Sequence, residues 1–284
     1  MLQVLYSFLY GVIEGITEWL PISSTGHLIL FEQAVGWSNN AQLSQFLEMF
    51  RVVIQLGAIM AVVLLYWNKL WPFSKKKTPA QRNGTLRMWA LVIIGCLPAA
   101  VIGLLFDDKI DSIFYNMPTV AVTLVLYGVL FIAVENLVKK GTIQTTRNTF
   151  GKLDIKTAAL IGAFQVLALI PGTSRSGVTI LGAVILGCSR SLAAEYSFFL
   201  SIPVMFGASL LKCAKLGNEM VSAGTSFTAT QIWMLIVGIL TAFIVSVIAI
   251  KFLMSFIKKH DFKPFGYYRI VLGIIVLIVY IFTI

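Results

Sequence analysis

Two segments interrupt an otherwise apolar chain in the same manner. The first runs Glu14-Gly15-Ile16-Thr17-Glu18-Trp19-Leu20-Pro21-Ile22-Ser23-Ser24-Thr25-Gly26-His27, and the second Pro171-Gly172-Thr173-Ser174-Arg175-Ser176-Gly177-Val178-Thr179. Each puts Pro, Gly and hydroxyl residues where an apolar helix should continue, and each adds charge. Irregular backbone and ionisable groups at membrane depth are tolerated only where protein buries them or they line a cavity. A chain with two such breaks is expected to bring them together.

That the surroundings are membrane follows from composition: 58% of residues are hydrophobic and 12% charged, the balance of a polytopic membrane protein. Apolar stretches near the ~20 residues a span requires run over 52–68, 88–106, 118–138, 192–211, 231–250 and 267–284. The N-terminus lacks a basic region before its apolar stretch and is not read as a cleaved signal peptide. The net charge of +10 comes from basic residues that crowd three connections. Lys69, Lys75, Lys76, Lys77, Arg82 and Arg87 form one basic group. Lys139, Lys140, Arg147, Lys152 and Lys156 form a second, and Lys251, Lys258, Lys259, Lys263 and Arg269 a third. The other connections are acidic or nearly neutral, with Asp107, Asp108, Lys109 and Asp111 in one and Lys212, Lys215 and Glu219 in the next. This is the positive-inside pattern, and it excludes a nucleic-acid reading of the charge. Cys96, Cys188 and Cys213 sit in or beside apolar segments without metal-ligand spacing and read as small buried hydrophobes.

The two halves resemble each other. Gly11-x-x-Glu14 matches Gly162-x-x-Gln165, and Ser23-Ser24-Thr25-Gly26 matches Ser174-Arg175-Ser176-Gly177. Ile94-Gly95 through Ala99 matches Val237-Gly238 through Ala242, and Gly128 answers Gly273. Four matches in one order indicate an internal repeat, over 1–140 and 155–284. If 1–47 and 157–190 are re-entrant hairpins, each half keeps three full spans, and an odd number inverts the second half. The expected fold is an all-α polytopic membrane protein: an inverted-topology repeat with six full transmembrane helices and two re-entrant helical hairpins. Broken helices meeting at the midplane are one way such repeats build a site.

Glu14 and Glu18 are four apart and share a helix face, where they repel unless a cation or proton lies between them. A hard divalent cation, Mg²⁺ or Ca²⁺, suits such carboxylates together with phosphate oxygens. The competing reading is an interfacial helix with both pointing at water. The run Ser23-Ser24-Thr25-Gly26 opens a short helix over Thr25–Phe31, whose free N–H groups favour an anion. His27 lies on the face of Ser24. In the second break, Ser174, Ser176 and Thr179 supply hydroxyls and Arg175 a planar fork for phosphate; the alternative is an Arg paired structurally with a glutamate such as Glu14 or Glu195. Gln55, Glu195 and Tyr196 lie on spans near the breaks, whereas Glu135 and Arg51 read as interfacial and His260 as a solvated loop residue. The set fits a phosphate or diphosphate held in the membrane and is not a Walker A loop.

The two segments resemble the signatures of the undecaprenyl-pyrophosphate phosphatase family of the bacitracin-resistance type, and Val52-Val53-Ile54-Gln55-Leu56-Gly57 looks like a third family segment. The resemblance covers essentially the whole chain. Arg51 departs from it, standing where the family pattern has an acidic or polar residue. The resemblance implies a bacterial inner-membrane enzyme with its site toward the outer face. It would use a divalent cation to remove the terminal phosphate of undecaprenyl pyrophosphate, giving the carrier of peptidoglycan synthesis. It also implies functional roles for Glu14, Glu18, Ser24, His27, Ser174 and Arg175. Ser24 is the first choice as nucleophile with His27 as its base; a His27 nucleophile and direct attack by water stay open. Substrate contacts are expected from Ser23, Thr25, Ser174, Ser176, Thr179 and Gln55, and metal contacts from Glu14 and Glu18. The expected partners are a polyprenyl diphosphate and membrane lipids, with a homodimer open and no nucleic acid. A polyprenyl-phosphate transporter or flippase, built on the same anion site, is the alternative activity.

Overall fold

The computed structural model describes residues 1–37, 44–223 and 226–283. Its helices are α1 (Leu2–Thr17), α2 (Ser24–Ala34), α3 (Ser44–Val53), α4 (Gln55–Leu70), α5 (Pro79–Phe114) and α6 (Met117–Lys139). They continue with α7 (Ile155–Val166), α8 (Arg175–Ile185), α9 (Arg190–Ala223), α10 (Ala229–Phe256) and α11 (Lys263–Thr283). Six stretches are long and apolar enough to cross a membrane: Ser44–Leu70, Pro79–Phe106, Met117–Lys139, Arg190–Met220, Ala229–Phe256 and Lys263–Thr283. Each overlaps one of the apolar stretches of the sequence. The first is longer than expected because α3, whose first residues fall in the segment read above as a hairpin, runs through Ile54, itself in helical conformation, into α4. Large apolar side chains stand exposed on every one of these helices, among them Leu64, Leu104, Val122, Leu210, Ile248 and Ile278. So much exposed apolar surface needs lipid to cover it.

The remaining helices form two hairpins interrupted at their tips. At 16 residues, α1 is about 24 Å long, short of the ~30 Å hydrocarbon core. Its beginning lies beside the end of α2, where Trp37 Nε1 donates to Gln3 Oε1 at 2.6 Å. The hairpin of α7 and α8 closes likewise, with Thr146 and Arg147 N–H donating to Gly187 O at 2.9 Å. Helix α1 packs on α10, and α7 on α5. Both crossings require glycine: a Cβ on Gly11 would come within 2.7 Å of Gly238 O, and one on Gly162 within 2.4 Å of Gly95 O. Helix α6 packs along α11, α4 on α10 and α5 on α9.

The basic connections gather at one end. Arg87 donates to Gly151 O at 3.0 Å and Leu153 O at 2.8 Å, and Trp89 to Leu70 O at 2.8 Å. Glu135 accepts from Arg190 at 2.9 and 2.5 Å and from the Phe262 N–H at 3.1 Å. The opposite end joins Gln3 to Trp37, Phe46 to Phe227, and Arg51 to the Tyr115 ring. Asp108, expected at that end, lies outside the residues whose side chains are described.

Of two residues read as interfacial, Glu135 is inside and Arg51 is half-buried and paired. Glu135 is buried because the first residue of α9, Arg190, folds back over it as a bidentate partner. Arg51 is turned by α3 toward α2, donating through Nε and Nη2 to the two oxygens of buried Glu32 at 2.7 and 2.6 Å. Cys96 and Cys188 are buried as expected, but Cys213 is exposed on α9. His260 is exposed at the basic end and stacks on Phe256.

Candidate active site

The two breaks have the same local geometry. Helix α1 stops at Thr17; Glu18 keeps helical dihedrals, its N–H still bonded to Glu14 O at 3.0 Å, and Pro21 then ends the helix. Helix α2 begins at Ser24, one residue before the expected start, and runs to Ala34. Ser23 and Ser174 both have φ of 73° and are the only non-glycine residues with positive φ among those described. Each caps the next helix: Ser23 Oγ accepts from Gly26 N at 3.3 Å and Ser174 Oγ from Gly177 N at 3.1 Å. Capping meets one orphan donor of a helix start; it does not require a left-handed residue, which costs about 1–3 kcal/mol where it occurs outside glycine. Gly172, at φ +84°, turns the second break where any Cβ would lie 2.2 Å from Thr123 Oγ1. That hydroxyl donates to Pro171 O at 2.9 Å.

The tips meet through Glu18 and Arg175. Arg175 Nη2 donates to Glu18 Oε1 at 2.7 Å, and Ser24 Oγ donates to Glu18 Oε2 at 3.0 Å. Arg175 Nη1 donates to Ser197 O at 2.8 Å, and its guanidinium lies 5.7 Å from the centre of the Trp19 ring. Ser176 Oγ reaches Leu20 O at 3.4 Å and Ser174 Oγ at 3.2 Å. Thr179 Oγ1 bonds Arg175 O at 2.8 Å and Ser197 Oγ at 2.7 Å. Arg175 therefore pairs with a glutamate, but with Glu18 and not with Glu14 or Glu195, at the point where both short helices begin.

His27 is differently engaged from the expectation. Its Nδ1 lies 2.7 Å from Ser23 O, which can only accept, so Nδ1 carries the proton of that bond. Its Nε2 faces Tyr268 Oη at 2.7 Å, and the rings stack. The hydrogen-bond partner of Ser24 is thus Glu18, not His27. Thr25 is half-buried in the first turn of α2, and Gln55 is half-buried at the start of α4, without a hydrogen bond to the cluster among the described residues. Glu195 pairs with Lys69 at 2.5 Å, and Tyr196 donates to Leu91 O at 2.7 Å; neither is tied to the cluster.

Three participants were not singled out from the sequence: Ser197, Tyr268 and Arg269. Arg269, counted above with a basic connection, is fully buried in α11. The mean polarity of a segment cannot tell a loop cation from one that faces inward. A polar pair, Tyr268-Arg269, early in an otherwise apolar span was the available signal.

Among the described residues, the buried polar atoms without a hydrogen-bond partner include both carboxylate oxygens of Glu14, both amide atoms of Gln165, Trp19 Nε1, Thr173 Oγ1, and Nε of Arg175 and Arg269. Among the described residues no group of three or more His, Cys, Asp and Glu gathers as a metal cage. Mg²⁺ is commonly held by only one or two carboxylates together with substrate phosphates and water. An unpartnered Glu14 one helical turn from Glu18 fits that donor set.

Fold and site define an integral membrane protein that holds a carboxylate, a guanidinium and a serine hydroxyl where two helix breaks meet, chemistry suited to a lipid-borne phosphate. Residues 7–275 match the family described as bacitracin resistance protein BacA, and the chain belongs to that family. It is 57% identical to the undecaprenyl-diphosphatase of Acetivibrio thermocellus over 99% of both chains. It is 52% identical to that of Desulfitobacterium hafniense, over 98% of this chain and 96% of the relative. It is also 52% identical to that of Enterococcus faecalis, over 98% and 97%.

Proposed function

We propose that this chain hydrolyses undecaprenyl pyrophosphate to undecaprenyl phosphate and inorganic phosphate, recycling the lipid carrier of peptidoglycan synthesis and conferring bacitracin resistance. Full-length similarity to undecaprenyl-diphosphatases supports the activity. The observation that carries the chemistry is the arrangement Ser24–Glu18–Arg175, one hydroxyl and one cation on the two oxygens of one carboxylate.

The geometry supports Ser24 as nucleophile and Glu18 as its base. Ser24 Oγ attacks the terminal phosphorus as its proton passes to Glu18 Oε2, and the bond from that phosphorus to the bridging oxygen breaks. The electron pair leaves with the lipid monophosphate. Protonation removes the charge that Glu18 offers Arg175, whose fork then takes the phosphoryl oxygens as its anion. The N–H groups opening α2 and α8 add to the positive field. Phosphoryl transfer depends chiefly on such positioning and charge stabilisation. Glu18 gives its proton to the departing lipid monophosphate. Water then attacks the phosphoserine as its own proton passes to Glu18, the bond from phosphorus to Ser24 Oγ breaks, and Glu18 returns that proton to Ser24 Oγ as phosphate leaves. A divalent cation, Mg²⁺ or Ca²⁺, held by Glu14 with Glu18, would add positive charge against the diphosphate oxygens. His27, fixed between Ser23 O and Tyr268, steadies the strained cap next to the nucleophile.

We also infer that both hairpins are re-entrant and that the halves are an inverted repeat. Two paired contacts support this. The Gly11–Gly238 and Gly162–Gly95 contacts become one another when the matches Gly11/Gly162 and Gly95/Gly238 are exchanged. The contacts of Gly128 with Gly266 and of Gly273 with Ala121 behave likewise under the match of Gly128 with Gly273. Loop charge puts the basic end in the cytoplasm of a bacterial inner membrane. The first hairpin then enters from outside, and the site opens toward the outer face.

The test is phosphate release from undecaprenyl pyrophosphate by purified protein in detergent, without any gradient. Wild type releases phosphate and Ser24→Ala does not; a Ser24→Ala protein as active as wild type contradicts the assigned nucleophile.

A further inference from the structure

Arg269 is fully buried in α11, and among the described residues no carboxylate pairs with it. Its bonds all go to backbone carbonyls of the two breaks. Nη1 donates to Pro21 O at 3.3 Å, and Nη2 to Gly172 O at 2.9 Å and Thr173 O at 3.0 Å. Its guanidinium lies 5.7 Å from the centre of the Tyr127 ring of α6. No other described side chain from outside the breaks donates to both of them. Its Nε has no partner.

The bonded carbonyls have a particular place in the chain. Pro21 is two residues before Ser23, and Gly172 and Thr173 immediately precede Ser174. Ser23 and Ser174 are the two strained caps that start α2 and α8. Fixing those carbonyls fixes where each short helix begins, and hence how Ser24 and Arg175 face each other. A buried cation without an anionic partner is unfavourable at membrane depth. Packing alone would be served equally well by an apolar side chain, so a charged fork here needs a task that requires it. A fork can hold three carbonyls from two segments in one plane, which the single ammonium of Lys cannot do.

We propose that Arg269 is a positioning residue for phosphoryl transfer: it holds the first and second breaks in register through Pro21, Gly172 and Thr173, so that Ser24 meets the phosphorus in line with the charge of Arg175. Its own charge, unmatched by an anion among the described residues, adds to the field that receives the diphosphate. This rests on the phosphatase reading above. The role is distinct from that of Arg175, because Arg269 acts through the backbone that carries the serines.

The test is Arg269→Lys, purified and compared with wild type for kcat, KM and thermal melting on a polyprenyl diphosphate. Misplacement by about 1 Å can lower a rate by about 10²-fold, and a loss of about that size in kcat is expected. KM should move less than about threefold, since the lipid tail and Arg175 still bind. Tyr127→Leu removes the ring beside the guanidinium while leaving its charge and carbonyl partners; a several-fold loss of kcat with the same small change in KM is expected. A folded Arg269→Lys protein with wild-type kcat overturns the proposal. So does a poorly folded one whose surviving fraction turns over normally, as does a Tyr127→Leu protein with wild-type kcat if the Lys variant cannot be recovered folded. Wild type assayed in parallel separates the two readings: no phosphate release by wild type contradicts the phosphatase, whereas active wild type with equally active variants contradicts the role of Arg269 alone.

Discussion

Ser24 and Glu18 are joined across the first break by a 3.0 Å hydrogen bond, and the other oxygen of Glu18 holds Arg175 at 2.7 Å. One carboxylate thus touches both the hydroxyl proposed to attack and the cation proposed to stabilise the attack. Glu18→Gln preserves shape and removes the base. A general base contributes about 10²–10⁴-fold, and kcat should fall by about that range at saturating lipid. Wild-type kcat in this variant would return the base role to His27.

His27 is held between Ser23 O and Tyr268 Oη, so Tyr268 should act through it. Tyr268→Phe removes one hydrogen bond of about 1 kcal/mol and should lower kcat several-fold. Combined with His27→Ala it should add almost nothing, because neighbours in one network are not additive. Full additivity in the double variant would show that Tyr268 has a separate role.

Arg175 is expected to grip the diphosphate in the transition state. Arg175→Lys should lower kcat, and Arg175→Ala should lower it further, by about 10²–10³, the scale for one preorganised donor. Arg175→Ala should also melt earlier, because it strands the buried Glu18. An unstable Arg175→Lys protein with normal specific activity would mean that the pair with Glu18 is structural only.

Glu14 is fully buried with both oxygens unpartnered. Glu14→Gln removes the charge without breaking a hydrogen bond, so melting without added metal should be unchanged or higher. Activity should be lost, or should need more Mg²⁺ or Ca²⁺. A chelator should abolish wild-type activity, and the metal should restore it. Unaltered metal dependence in Glu14→Gln would remove Glu14 from the cation site.

The sequence made the breaks legible because Pro21, Gly172 and a row of hydroxyls cannot continue an apolar helix, and the long apolar stretches marked six helices. The pairing inside the bundle was not legible. Arg269 and Arg51 have the same residue type and the same kind of flanks, yet one bonds three carbonyls and the other Glu32. Which partner each meets depends on how α11 lies on α6 and α3 on α2, a tertiary fact without local signal. The bond from Ser24 to Glu18 escaped for a related reason. They are six residues apart across a turn, and helical spacing had pointed to His27 on the same face.

Sidedness has its own test. Single cysteines at 76, 140 and 259 should resist a membrane-impermeant thiol reagent in intact cells, and one at 219 should react. Labelling at 76 from outside would invert the topology and undo the inverted-repeat reading.

The central claim is tested most directly by purified wild-type protein in detergent with undecaprenyl pyrophosphate, Mg²⁺ or Ca²⁺ and no gradient. One inorganic phosphate should appear for each undecaprenyl phosphate formed, and Ser24→Ala should form neither. Intact diphosphate after prolonged incubation, with the same protein moving the lipid headgroup across vesicles, would contradict the phosphatase and establish a transporter.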